Sequence, residues 1–189
     1  MTQIEFDEPS HTYRLDGKIL PSVSQVLKAG NLMPEFYKTL DPWYAQRGTA
    51  VHLACHLSDI GELDFATVDP QISEFWDAWL KFKQEFDVKV LESEVIVHDK
   101  EFAGTFDKIV KMFGAVWLLD LKCSTFQSFH SVQTMAYAQL KGDTTLKRGS
   151  VHLKKDGTFA FKPHEQRAED LRRWEEAKTA WRNAKETVS

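Results

Sequence analysis

The sequence predicts one α/β domain built on a mixed sheet with helices on both faces. Three consecutive runs rich in β-branched and aromatic residues, 88–97, 102–112 and 115–122, have strand composition. Helical spacing of apolar residues precedes and follows them, giving the order helix, three strands, helix, strand. In the third run Trp117, Leu119 and Leu121 are apolar opposite a charged face, which requires cover on that side too.

Taken in order, residues 6–20 read as a small hairpin, with His11, Tyr13 and Leu15 alternating and Asp16-Gly17 turning the chain. Ser22 and Gln25 have the spacing of a capping box, so a short helix starts there and ends near Gly30. Asp41-Pro42 opens a longer helix running through Trp43, Tyr44, Arg47, Val51, Leu53 and Leu57 towards Gly61. Gly48 inside it costs about 1 kcal/mol relative to Ala, which predicts a close approach by another backbone or a ligand. Pro70 opens a third helix whose Ile72, Phe75, Trp76, Trp79, Leu80, Phe82 and Phe86 form a core stripe. After the strands, 128–140 reads as a helix with Phe129, Val132, Met135, Ala136 and Leu140 on its apolar face. Residues 148–154 and 158–162 pair around Asp156-Gly157, and Pro163 opens the last helix, with Leu171, Trp174, Ala177 and Trp181 as its stripe. No repeat or linker interrupts this order. The expectation is a single domain over 1–189, with a hairpin and short helix in 1–40, a core in 41–162 and a C-terminal helix in 163–189.

Composition bounds the function. The 189 residues are 42% apolar and 12% aromatic, as in an ordinary globular chain. No run approaches the ~20 apolar residues of a membrane span, and the N-terminus does not read as a signal peptide, so a cytoplasmic protein without membrane partners is expected. Cys55 and Cys123 are too few for a disulfide framework or an iron–sulfur cluster, and read as small buried thiols. A net charge of −4 argues against a protein that coats nucleic acid. Residues 141–162 nevertheless carry Lys141, Lys147, Arg148, Lys154, Lys155 and Lys162 against Asp143 and Asp156, a basic strip suited to meeting a polyanion at one site.

The chemistry concentrates in 103–122. A turn centred on Phe113-Gly114 sets Met112 opposite Ala115, and counting back in step sets Asp107 opposite Asp120. Like charges at that position destabilise a sheet unless a cation sits between them. Lys122, two residues past Asp120, shares its face. Two carboxylates at close quarters suit Mg²⁺ or Mn²⁺, and a lysine beside them can orient a water or stabilise developing negative charge. Glu94, on the preceding strand, is placed to add a third carboxylate or to face solvent.

Gly104-Thr105-Phe106-Asp107 followed by Leu118-Leu119-Asp120-Leu121-Lys122-Cys123-Ser124 resembles the core of the PD-(D/E)XK nuclease superfamily, and within it the RecB-like exonuclease branch found in phage, CRISPR-adaptation and mitochondrial genome-maintenance exonucleases. Arg47-Gly48-Thr49-Ala50-Val51-His52 is similar to that branch's histidine motif, and Gln133-Thr134-Met135-Ala136-Tyr137 to its Gln-x-x-x-Tyr motif. The four pieces stand in the family's order over 47–137. Phe106 replaces the proline of the superfamily's name, and the cysteines of its iron–sulfur members are absent.

The resemblance implies a restriction-endonuclease-like core and a metal-dependent deoxyribonuclease, an exonuclease rather than an endonuclease. It implies metal ligation by His52, Asp107, Asp120 and the Leu121 backbone carbonyl, one or two Mg²⁺ or Mn²⁺ ions, and a catalytic role for Lys122 with Asp107 and Asp120. Gln133 and Tyr137 would contact the substrate backbone; Arg47 and Lys108 are further candidate phosphate contacts. The expected partner is single- or double-stranded DNA, with a second copy or a recombination or replication protein as further candidates. The competing expectations are a catalytically silent nuclease-fold protein that binds DNA or joins an assembly, and a phosphate-ester enzyme acting on small nucleotides. His56, four residues after His52, reads as a packed residue rather than half of a zinc pair.

Overall fold

Phe113 and Gly114 both take left-handed backbone conformations, with φ of 50° and 68°, and this turn fixes the register of the central hairpin. Two consecutive positive φ values match the right-handed twist of the strands they join. A computed structural model describes residues 4–7, 10–35 and 41–187 of the chain. In it the elements run β1 Ile4–Asp7, β2 Thr12–Leu15, β3 Lys18–Leu20, α1 Val23–Ala29, α2 Pro42–Ile60, α3 Pro70–Glu85, β4 Lys89–His98, β5 Ala103–Met112, β6 Ala115–Lys122, α4 Phe129–Leu140, β7 Lys147–Leu153, β8 Phe159–Pro163 and α5 Arg167–Glu186.

The main sheet has five strands in the order β4-β5-β6-β7-β8. Its first three strands form an antiparallel meander, α4 crosses over, and β7 joins β6 in parallel before β8 closes the edge antiparallel. This is the expected helix, three strands, helix, strand in a mixed sheet. Ile109 and Leu118 pack beneath α1, α4 and α5, while Val110, Trp117, Leu119 and Leu121 pack beneath α2 and α3, so both faces are covered. Trp79, Phe82 and Trp174 are wholly buried in these two layers.

The helix signals held. Ser22 and Gln25 form the reciprocal capping box, Asp41 caps α2 by accepting from the Trp43 N–H, and left-handed Gly61 ends that helix. Two expectations need correction. The N-terminal hairpin is a three-stranded sheet, because β1 adds to β2 with Phe6 opposite Tyr13. Pro163 does not open the last helix: it ends β8 opposite Gly149, and α5 begins at Arg167. A proline lacks the N–H that an inner strand needs, but β8 is an edge strand and tolerates it. Parts of the 1–40 extension, residues 1–3, 8–9 and 36–40, lie outside the described residues.

Lys108, expected as a phosphate contact, is fully buried instead. Its ammonium lies 2.9 Å from Asp59 Oδ2 and donates to Ser93 Oγ at 2.6 Å, both side chains being closed to solvent. Asp59 also accepts from Lys83 at 2.6 Å and from the Trp79 indole at 3.0 Å. This knot ties α2 and α3 to the sheet. Removing one member of a buried pair strands the other charge, so Asp59→Ala should cost about 3–5 kcal/mol, read as a fall in the urea midpoint. A midpoint within error of the wild type would show that the knot carries no stability.

Candidate metal centre

The ladders on both sides of Asp107 break at that residue. On one side Ser93 pairs with Lys108 and Val95 with Phe106, bracketing Glu94 and Asp107 without a pairing between them. On the other, the pairs run from Met112–Ala115 back to Lys108–Leu119 and stop, while β6 continues beside β7 with Asp120 opposite Ser150. Glu94, Asp107 and Asp120 therefore occupy one row across three adjacent strands, where the sheet splays open. The Leu121 N–H, freed from the β5 ladder, donates to Asp107 Oδ2 at 2.6 Å. Glu94 stands at φ 52°, a left-handed backbone that costs a non-glycine residue about 1–3 kcal/mol and that recurs at functional sites. Face alternation changes there: Ser93 bonds to His56 on the α2 side, while Val95 packs into the layer under α1 and α4.

α2 brings His52 to this row. Its Nε2–H donates to the Leu121 carbonyl at 3.0 Å, which aims Nδ1 at Asp107 Oδ1, 3.4 Å away, and at Glu94 Oε1, 3.8 Å away. A backbone acceptor on one ring nitrogen fixes the other as the ligand atom. The candidate ligand atoms of His52, Glu94 and Asp107 all lie within 4.8 Å of one another. Glu94 Oε1 is buried without a hydrogen-bond partner among the described residues, as an oxygen awaiting a cation would be. Asp120 lies beside this trio, and Lys122 Nζ sits 2.9 Å and 2.7 Å from its two oxygens.

The electrostatics follow from like charges in a confined row. Burial raises the Asp107 carboxyl, but His52, Lys122 and the Leu121 N–H together hold it below the usual carboxylate range. Burial and the Asp107 charge push Glu94 up to about 7. Burial, with Asp107 adding to it and Lys122 opposing, lifts Asp120 to about 6. Burial disfavours charge on His52, yet Asp107 and Glu94 outweigh it and raise the imidazole to about 9. The row thus keeps one carboxylate charged and holds protons where a cation could replace them.

The other expected residues distribute as follows. Gln133 and Tyr137 line the same cavity, of about 550 Å³, and Gln133 donates to the Tyr137 hydroxyl at 3.0 Å. Gln133 Oε1 has no hydrogen-bond partner among the described residues. Gly104 belongs here as well, since a Cβ on it would lie 2.7 Å from the Tyr137 ring. The Leu121 carbonyl, expected as a ligand, is engaged by His52. Arg47 stands at the edge rather than in the row. It donates to the Cys123 carbonyl at 3.2 Å, and its guanidinium carbon lies 4.8 Å from the ring centres of both Trp43 and Phe75. His56 bonds Ser93 Oγ at 2.7 Å and stays outside the cluster. Of the basic strip, Arg148 is buried against Asp170 at 2.9 Å, Lys141 pairs with Glu92 and Lys147 lies over the Trp117 ring, leaving Lys154, Lys155 and Lys162 on one exposed side.

Sequence reasoning missed a buried polar chain behind β6. His164 and His152 both meet Ser150 Oγ through Nε2, at 3.2 and 2.9 Å, and His152 Nδ1–H donates to the Ser124 carbonyl at 2.6 Å. His130 Nδ1 accepts from the Gln127 N–H at 3.2 Å. Together they pin the loop that follows Lys122. Histidines on α4, on β7 and in the connection after β8 carry no spacing signal, so only the register of β7 on β6 could have revealed them.

No family model matches the chain, and no curated protein does. Among solved structures, one described as the crystal structure of SSO0001 is similar at 18% identity, covering 69% of this chain and 73% of that one, with a TM-score of 0.34. At that score the likeness carries no argument about the site.

Two outcomes follow from the protonation pattern. A metal ion must displace the protons of His52 and Glu94, so Mn²⁺ affinity measured calorimetrically should rise between pH 6 and 9 and binding should release protons; pH-independent affinity would contradict the site. Burial holds His130 at about 2 and His164 at about 3, and lowers His152 as well. The unfolded chain takes up these protons near its ordinary value of about 6.5 while the fold refuses them. The histidines' contribution to stability in urea should therefore be lost as pH drops below about 6.5, opposed by Glu94 and Asp120, so His164→Gln should lose less stability on acidification than the wild type.

Proposed function

We propose that this chain is a divalent-metal-dependent DNA nuclease of the PD-(D/E)XK type, acting as an exonuclease. The observation that carries the reading is the row Glu94, Asp107 and Asp120 with His52 Nδ1 aimed into it and Lys122 paired to its end. A hairpin needs no such arrangement for stability, since three carboxylates in a buried row oppose folding.

The donor set is rich in hard oxygen atoms with one imidazole nitrogen, which suits Mg²⁺ and Mn²⁺ better than soft metals. His52, Glu94 and Asp107 would hold the ion, with Asp120 at its side. When bound, such an ion polarises a phosphoryl oxygen and acidifies a coordinated water. The protein's own part is positional. Asp120 keeps the Lys122 ammonium at the cavity, where it can orient the attacking water and stabilise negative charge gathering on the scissile phosphate. Gln133 donates to the Tyr137 hydroxyl and so orients it, leaving its O–H as a donor able to reach a phosphate oxygen of the strand. Tyr13 from the N-terminal sheet hydrogen-bonds Thr105 at 2.8 Å and closes the cavity from the other side, limiting water access.

Digestion of end-labelled DNA in Mn²⁺ tests this. Asp120→Asn and Lys122→Met should each reduce cleavage by about 10²-fold or more with the circular dichroism spectrum unchanged. Near wild-type cleavage by either variant would overturn the assignment. A folded wild type that binds DNA and Mn²⁺ but never cuts would identify a silent nuclease fold instead.

A further inference from the structure

Resting on the nuclease reading, we propose that the substrate is a single nucleic-acid strand, drawn away from the metal centre along one continuous track across α2 to the lysines of β7 and β8. Three cavities lie side by side along this path. The metal-centre cavity shares Ala45, Gly48, His52 and Lys122 with a second, which shares Arg47, Cys123 and Ser124 with a third. The third ends at Lys154, Lys155 and Lys162, all exposed.

Gly48 marks the crossing. A Cβ placed on it would meet no atom of the described residues within 4 Å, so none of their packing accounts for a glycine that weakens α2. It lines both the first and second cavities, and its missing side chain leaves the passage between them open. No described residue makes the close backbone approach anticipated at this position, and the space beside Gly48 can admit a ligand.

The chemistry changes along the track as a strand would require. The carboxylates Asp107 and Asp120 lie at the floor of the first cavity, 6% and 2% exposed, a depth that suits one extended backbone better than a paired duplex. Beyond Gly48 come Tyr44 and then Phe126, 48% and 41% exposed, which offer ring faces for unpaired bases. Lys162 lies over one face of the Phe126 ring at 5.6 Å, placing a cation next to the phosphates of a base stacked on the ring. Asp41 borders the second cavity, but its carboxylate is committed to capping α2. The wall carrying Ser124 and Phe126 has no regular secondary structure, and the His152 and His130 bonds behind it hold it in place.

The test is fluorescence anisotropy of a labelled 15-nucleotide oligothymidylate in EDTA, which reads binding without turnover. Changing Lys154, Lys155 and Lys162 together to Ala should weaken binding at least tenfold and flatten the log affinity–log salt slope by roughly 2, at about 0.7 per phosphate lost on a single strand. Phe126→Ala should weaken binding roughly 5- to 100-fold while leaving the salt slope alone. A duplex of equal length should bind more weakly than the single strand. A triple variant with wild-type affinity and slope, or a duplex that binds as tightly as the strand, would overturn the track. Adding Mn²⁺ to the bound strand then tests the nuclease reading by itself, because binding without cutting contradicts that reading and leaves the track standing.

Discussion

Like charges forced into one row are the constraint on which this structure turns. Three carboxylates on adjacent strands, largely shielded from water, cannot all stay ionised without a counter-charge. The protein answers in three ways at once. It holds Asp107 charged through His52, Lys122 and a backbone N–H; it raises its two neighbours, Glu94 to about 7 and Asp120 to about 6; and it parts β5 from β6 so that the row faces a cavity rather than a ladder. Each of these weakens the sheet locally. All three make sense together if a divalent ion completes the site.

The rest of the fold compensates for that weakness. On the α2–α3 face, the Lys108–Asp59 knot and the Trp79 stripe clamp the sheet a single residue away from Asp107. Next to the site, α2 is tied to β6 by His52 on the Leu121 carbonyl and to the residue just past its end by Arg47 on the Cys123 carbonyl. Behind β6, α4 and α5 are joined to β7 through Arg148, which donates to the Ser131 carbonyl and pairs with Asp170. A site built from strands that diverge is thus held on rigid elements, which is what positioning chemistry requires.

How much of this the sequence revealed depends on whether the signal was local. Phe113-Gly114 is a local turn, so its register, and with it Asp107 beside Asp120, was legible before any coordinates. The helix caps at Ser22 and Asp41 were legible for the same reason. Pro163 was misread because a proline after a strand resembles a helix start unless the strand is known to lie at the sheet edge. Lys108 looked like a surface charge because nothing local reports that Asp59, on another element, awaits it. Glu94 could be offered only as facing either way. Its left-handed backbone breaks the alternation by which strand residues are assigned to faces, and that break is what turns it into the site. The basic strip was real as composition and misleading as surface, since Arg148 serves the core and Lys141 a local pair.

The most direct measurement is the anomalous difference density of a crystal soaked in Mn²⁺ at pH 8. The account predicts a peak bounded by His52 Nδ1, Glu94 and Asp107, lost in a Glu94→Gln crystal treated alike. A wild-type crystal with no peak there, or with manganese bound only elsewhere on the chain, would contradict it.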